Sequence, residues 1–269
     1  MEEYLTGKVL YGNDFNFEQI QQWYQDEKEG YADLGSKNPD EYSYSYHHLN
    51  KLHGFNYIGS NKFEHVLGIG SAWGHEFYPI IDRMTNLHII EPSDHLKSSQ
   101  IQHLTPIYTK PTTEGVIHYP DQYFDLVTCF STLHHIPNVS FVLQELHRVT
   151  KSGGYILLRE PIISMGDWRY SRKGLTKHER GIPLELFRTW LRQLHVEIVN
   201  ETLYSCMTPF FERFLRKIFK KNRPIISHKS YVLFDKWLSR TFSWNLRYHA
   251  TKKLERIAPS GVFYVLRKK

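Results

Sequence analysis

The chain is poor in cysteine, with only Cys129 and Cys206 among 269 residues. Two thiols build neither a disulfide framework nor a cysteine-rich zinc site, and no metal site is expected. Long apolar runs are missing as well. No stretch reaches the roughly 18 apolar residues of a membrane span, and the opening MEEYLTGK has no leader-type apolar core. Internal repeats and low-complexity tracts are also lacking. The expectation is a soluble, cytoplasmic protein.

What is present has ordinary globular composition, 41% hydrophobic and 23% charged, which excludes wholesale disorder. Charge is uneven. Residues 1–206 hold 18 Lys+Arg against 25 Asp+Glu, or −7; residues 207–269 hold 16 against 3, or +13, and the parts sum to +6. A basic end on an acidic body suits an anionic partner such as nucleic acid, a membrane surface or a phosphorylated substrate, or it only keeps the protein soluble.

Asp14-Phe15-Asn16-Phe17-Glu18 reads as a capped helix start, with Ile20, Trp23 and Tyr24 on one face. Glu41 to Leu49 carries period-2 tyrosines but continues as a helix through Leu52. From Phe63 the pattern changes to apolar runs of four to six residues alternating with helical stretches. The runs are His65–Leu67, Leu87–Ile90, Phe124–Cys129 and Tyr155–Leu158, with helices from His75 to Met84 and from Phe141 to Val149 and a turn at Ser152–Gly154. This rhythm means βαβ units around a parallel sheet. A polar loop spans 165–183, Leu184–Leu194 is helical, and Val196–Tyr204 and Gly261–Leu266 are the last strands. The boundaries that follow are an N-terminal helical lid over 1–60, a core over 61–206, a basic helical insertion over 207–258 and a final core strand over 259–269.

The most informative feature is the order strand, glycine loop, helix at Val66–Met84. Glycines there let the backbone approach a ligand and aim amides at it, and an acid closing the next strand, Glu91, takes ribose hydroxyls. Together they predict a nucleoside-bearing cofactor across the carboxyl ends of the strands. A dinucleotide fingerprint wants a third glycine where Trp73 stands, and an indole crowds that place.

Gly68-x-Gly70-x-x-x-Gly74 instead resembles motif I of the class I S-adenosylmethionine-dependent methyltransferases, of the type 11 kind. Tyr123–Pro137 resembles the family's motif IV region, and Leu146–Leu157 its helix, turn and fifth strand. The resemblance implies an α/β, Rossmann-like doubly wound sheet, mostly parallel with an antiparallel last strand. It implies S-adenosylmethionine as cofactor, held by Gly68, Ile69, Gly70, Ser71, Ala72, Gly74, Glu91, Pro92, Phe130 and Ser131. Two departures stand out: the family carries an acid where Gly68 stands and a glycine where Ala72 stands. The missing anchor for the methionine end must come from elsewhere, Glu76 and the N-terminal Tyr and His residues being candidates.

Methyl transfer is an in-line displacement, so the protein has to hold the acceptor atom and receive its proton. His134, His135 and Glu160 are the candidate catalytic residues; for the histidines, a general base and simple packing of the next helix stand as equal readings. Arg159, Arg169, Arg172, Arg180, Trp168 and Tyr46 are candidates for acceptor binding, since arginine forks suit anions and aromatic rings stack on sugars. The Gly166–Gly181 loop resembles that of methyltransferases acting on surface-polysaccharide intermediates. The expected acceptor is therefore a small anionic or sugar-type molecule, or a glycolipid, methylated on a hydroxyl. Arg213–Arg223 reads as a basic amphipathic helix suited to peripheral contact with the inner face of the membrane or to packing on the protein itself. A nucleic-acid methyltransferase and a catalytically inactive relative that only binds the cofactor remain the alternatives, although no nucleic-acid module is present.

Overall fold

Strands covered on both faces need continuous apolar side chains, and five of the seven strands of one sheet carry such runs, the other two being its partly exposed edges. The seven are β1 (Phe63–Ile69), β2 (Met84–Ile90), β3 (Ile107–Thr109), β4 (Phe124–Phe130), β5 (Thr150–Pro161), β6 (Val196–Tyr204) and β7 (Gly261–Lys268), in the order β3-β2-β1-β4-β5-β7-β6. Pairings from β3 through β5 are parallel, and β7 runs antiparallel to both β5 and β6. The mostly parallel sheet with an antiparallel last strand is thus the observed one. The computed structural model describes residues 2–27, 42–219 and 224–269. Residues 28–41 of the expected lid and 220–223 of the basic segment lie outside the described residues.

Each face of the sheet carries its own core. Leu67, Val127, Ile156 and Leu158 pack with Val142 and Leu146 of α4 (Val139–Val149) and Phe187 of α5 (Leu184–Gln193). On the opposite face Val66, Leu126, Leu157 and Val265 pack with Leu49 of α3 (His47–His53) and with Phe77, Ile80 and Ile81. Those last three lie on a 3-10 helix, His75–Arg83, not the α-helix expected there; Pro79 within it supplies no amide to a helical ladder.

Three further details refine the local reading. The Ser152–Gly154 turn is absorbed into β5, where Gly153 at φ +78° accompanies a shift of register against β4. The cap of α2 (Phe17–Glu27), within the capped start expected over 14–18, is Asn16: Asn16 Oδ1 accepts the Gln19 amide and Gln19 Oε1 accepts the Asn16 amide, both at 3.0 Å. The tyrosine-rich stretch turns helical only at His47.

The basic region forms α6 (Thr208–Phe219) and α7 (Lys229–Thr241). Phe210, Phe214 and Ile218 of α6 are exposed, as are Leu233, Phe234 and Trp237 of α7. Among the described residues no helix is long and apolar enough to cross a membrane.

Arg180 holds the N-terminal segment to the core. It is fully buried and donates only to backbone carbonyls: Tyr11 at 2.9 Å, His134 at 2.8 Å, Ile136 at 2.8 Å and Pro137 at 3.2 Å. Its guanidinium also lies 4.8 Å above the Trp23 ring. Its expected place among the acceptor-binding residues is therefore corrected, because every donor of the fork is spent on the protein's own turn. Arg180→Met is expected to lower unfolding stability by about 3 kcal/mol or more, since several buried carbonyls lose a charged donor. Urea denaturation measures this, and a loss below about 1 kcal/mol contradicts the stapling role.

Candidate functional site

The carboxyl ends of β1, β2 and β4 open into a cavity of about 490 Å³, within the usual range for small-ligand sites. The glycine loop after β1 forms one wall. Gly70 has φ +63°, and a Cβ built there meets Thr132 Oγ1 at 2.5 Å, so the position excludes any side chain. Ala72 also sits in the left-handed region, at φ +45°, where a glycine is relaxed and an alanine is not. Its amide donates to Glu91 Oε2 at 3.1 Å, and the Ser93 amide donates to Glu91 Oε1 at 3.0 Å. The buried Glu91 carboxylate is thus aimed at the cavity edge by backbone on both sides. Trp73 is buried against Leu96 and fills the volume that a third glycine leaves for a pyrophosphate.

Gly68 carries no acid for a steric reason: a Cβ there meets Ser71 Oγ at 2.3 Å. The acid comes from the following helical segment instead. Glu76 is buried, lines the cavity, and accepts from Ser71 Oγ at 3.0 Å and Thr128 Oγ1 at 2.8 Å, both on Oε1. Burial pushes its carboxyl up to about 7, against those two hydroxyl donors and the positive charge of Arg159. Arg159, also buried, reaches Asn50 Oδ1 at 2.9 Å, Ser131 Oγ at 3.1 Å and Tyr44 OH at 3.3 Å, with Tyr46 stacked 4.1 Å from its guanidinium. No carboxylate hydrogen-bonds it among the described residues.

The opposite end of the cavity is a chain of carboxylates and imidazoles. Glu160, at the end of β5, accepts the amides of Thr132 and Leu133 at 2.9 Å each and stands 2.7 Å from His134 Nδ1. Glu179 Oε1 lies 3.6 Å from His134 Nε2, and Glu27 Oε2 lies 3.0 Å from His135 Nδ1. Burial pulls His134 down, but Glu160 and Glu179 outweigh it and lift the ring to about 9. His134 therefore holds a proton at neutral pH and is not poised to receive one. Burial, joined by the charge of His134, lowers His135 below its ordinary value.

Most of the residues singled out in the sequence meet here. Ile69, Gly70, Ser71, Ala72, Glu91 and Pro92 line one side of the cavity; Phe130, Ser131, His134, His135, Arg159 and Tyr46 line the other. Gly68 and Gly74 shape the loop without facing the cavity, and Glu160 stands behind His134. The 165–183 loop is different. Arg169 pairs with Asp167 at the surface, Arg172 donates to the carbonyls of Thr176, Lys177 and Glu179, and Trp168 stacks on Tyr11 with ring centroids 5.3 Å apart. These three are removed from the acceptor-binding set, because their polar or aromatic faces are occupied by the protein itself. Glu27 and Glu179 were not legible in the sequence; their only signal was acidity in segments that looked like a surface helix and a charged loop.

Comparison with known proteins agrees with this geometry. Residues 67–158 match the model of a methyltransferase domain family. A 74-residue stretch is 30% identical to the ubiquinone biosynthesis O-methyltransferase of Nitrosomonas europaea, covering 28% of this chain and only 27% of that protein. A methyltransferase structure from Bacillus halodurans superposes with a TM-score of 0.53 at 16% identity, covering 82% of this chain and 98% of its own. The [4+2]-cyclase SpnF also superposes at 0.53, with 13% identity over 94% of this chain and 97% of its own, a likeness of fold alone. With the β1 loop, the acid closing β2 and the strand order already in place, residues 67–158 match a methyltransferase domain family on a sheet of the class I S-adenosylmethionine-dependent type.

Proposed function

We propose that the protein methylates a hydroxyl of a sugar-type acceptor, with S-adenosylmethionine as donor. One observation carries the reading: the glycine loop with Glu91 and the carboxylate–imidazole chain share one cavity. The residues suit the cofactor. Gly70 leaves room where a side chain would intrude, Glu91 is set for a diol, and the indole N–H of Trp73, a residue of the cavity wall, is buried with no partner among the described residues. When bound, the cofactor supplies an electrophilic methyl on a sulfonium sulfur. Glu76 and Arg159 are opposite charges at one end of the cavity and are suited to a zwitterionic amino acid, which supplies the anchor that Gly68 lacks.

At the other end, His134, protonated between Glu160 and Glu179, helps to orient a hydroxyl, and His135 beside Glu27 is the group that takes up its proton. Tyr24 of α2 borders this end and suits a sugar ring, while Trp23, buried between the Arg180 guanidinium and the His178 ring, walls it. An anionic acceptor group is not favoured inside the cavity once Arg169, Arg172 and Arg180 lie elsewhere. Such a group belongs with the α6–α7 surface, whose exposed aromatic and aliphatic side chains stand beside Arg213, Arg216 and Lys217 and suit an anionic lipid surface that presents a glycolipid.

The acceptor class is tested by supplying labelled cofactor with lipid-linked and free glycans. Label is expected in a product that survives mild alkali as a methyl ether does; an alkali-labile ester overturns hydroxyl methylation. For the cofactor end, Glu91→Ala is expected to weaken binding of the demethylated cofactor, S-adenosylhomocysteine, by about 1–3 kcal/mol in calorimetry, and unchanged affinity contradicts the ribose role. Glu76→Gln is expected to weaken S-adenosylhomocysteine about 10-fold while sparing methylthioadenosine, which lacks the amino acid; equal loss for both ligands removes Glu76 from that role. For the surface, sedimentation with anionic vesicles is expected to retain the wild type at low salt and release Phe214→Asp/Trp237→Asp. No retention, or a surface buried in a stable dimer, removes the membrane reading.

A further inference from the structure

We propose that His134, His135 and Glu179 form a binding site for one divalent transition-metal ion, zinc in the first instance, at the acceptor end of the cavity. One nitrogen from each histidine and one oxygen of Glu179 lie within 4.8 Å of one another, and His134 and Glu179 are buried. The edge from His134 Nε2 to Glu179 Oε1 is 3.6 Å, against about 3.4 Å between two donors placed ~2.1 Å from a tetrahedral zinc. A two-histidine, one-glutamate set with a cavity on its open side is the donor chemistry of a zinc ion that keeps a position for an exogenous oxygen.

The residues behind these donors are arranged as metal ligands require. A ligating histidine gives its second ring N–H to a carboxylate, which fixes tautomer and ring plane. Glu160 stands 2.7 Å from His134 Nδ1 and leaves Nε2 to face Glu179. Glu179 is itself aimed: its Oε2 accepts the Thr176 amide at 3.0 Å, and Oε1 turns to the histidines. Glu27 adds a carboxylate 3.0 Å from His135.

Charge points the same way. Glu27, Glu160 and Glu179 converge on this spot, and among the described residues no lysine or arginine side chain bonds to any of them. Arg172 and Arg180 lie close by but spend their donors on backbone carbonyls. A divalent ion on His134 Nε2 takes the place of the ring proton there, so the three buried carboxylates keep a cation among them. The donor set of imidazole and carboxylate suits zinc, and also cobalt, manganese or iron, over calcium. In the reading of the cavity proposed above, on which this part rests, the open position takes the acceptor oxygen, and Glu160 acts as a positioning residue.

The test uses the full chain, stripped of metal with a chelator, then titrated with Zn²⁺ by calorimetry and with Co²⁺ by visible absorption; S-adenosylhomocysteine binding is measured on the same sample. One ion per chain and the d–d bands of a low-coordinate cobalt site are expected. Glu179→Gln, close in shape and therefore safe for folding, is expected to weaken Zn²⁺ at least 10-fold and to change the cobalt spectrum. Glu160→Gln is expected to cost 10- to 100-fold in affinity. A wild type that binds S-adenosylhomocysteine but no stoichiometric Zn²⁺ or Co²⁺ overturns the metal site and leaves the cofactor reading intact. Failure of both overturns both. Equal affinity in wild type and Glu179→Gln puts the ion on other histidines, of which the chain has sixteen in all, and overturns the assignment as well.

Discussion

The carboxylate–imidazole end of the cavity depends on one buried carboxylate. Glu160 has no exposed surface, and a bare carboxylate in that position costs several kcal/mol. It is tolerated because the chain after β4 wraps around it: three consecutive amides, of Thr132, Leu133 and His134, point inward, and the His134 ring closes the ring of donors. The anion therefore shapes the turn, and the turn delivers both histidines to the cavity. β-strand alternation explains the rest of the arrangement. Arg159 and Glu160 are neighbours in sequence and point to opposite faces of β5, so they serve opposite ends of the site and do not pair.

Two segments that contribute little to the sheet complete the site from outside. α2 and the 165–183 loop clamp the same turn: Trp23 Nε1 donates to the His135 carbonyl at 2.7 Å, the His178 amide donates to Glu27 at 2.8 Å, and Asp26 pairs with Lys177 and His178. The Asp26–Lys177 ion pair, with its lysine in solvent, is worth a few tenths of a kcal/mol. The buried Arg180 fork and the aromatic stack of Tyr11, Trp23, Trp168 and His178 carry the larger share of the contact. Glu27 and Glu179 come from sequence positions about 150 residues apart, joined through these contacts.

That distance is why half of the site was legible in the sequence and half was not. The strands, the glycine loop and Glu91 are local signals: apolar runs, backbone freedom at Gly70, and an acid one strand later all sit within a single βαβ unit. The arginines of the loop misled because charge alone says nothing about what accepts the hydrogen bonds. Arg180 looks like Arg169 in sequence, yet one fork is buried among carbonyls and the other is paired at the surface. Glu76 was legible as a candidate only because Gly68 had left a function unfilled.

The uneven charge along the chain also takes on a spatial sense. An anionic group that enters the acceptor end meets Glu27, Glu160 and Glu179, and like charges a few ångströms apart repel strongly where water is scarce. A neutral hydroxyl meets no such barrier and gains donors and acceptors. The positive charge is gathered in residues 207–269, and on α6 it lies beside exposed Phe210, Phe214 and Ile218, whose burial in a monomer would be the ordinary outcome. In the proposed reading, a molecule with a sugar at one end and a phosphate or lipid at the other is the ligand that both regions favour at once. A small free anion is the less favoured ligand in that reading, because three carboxylates face it at this end of the cavity and the surface offers it no enclosure.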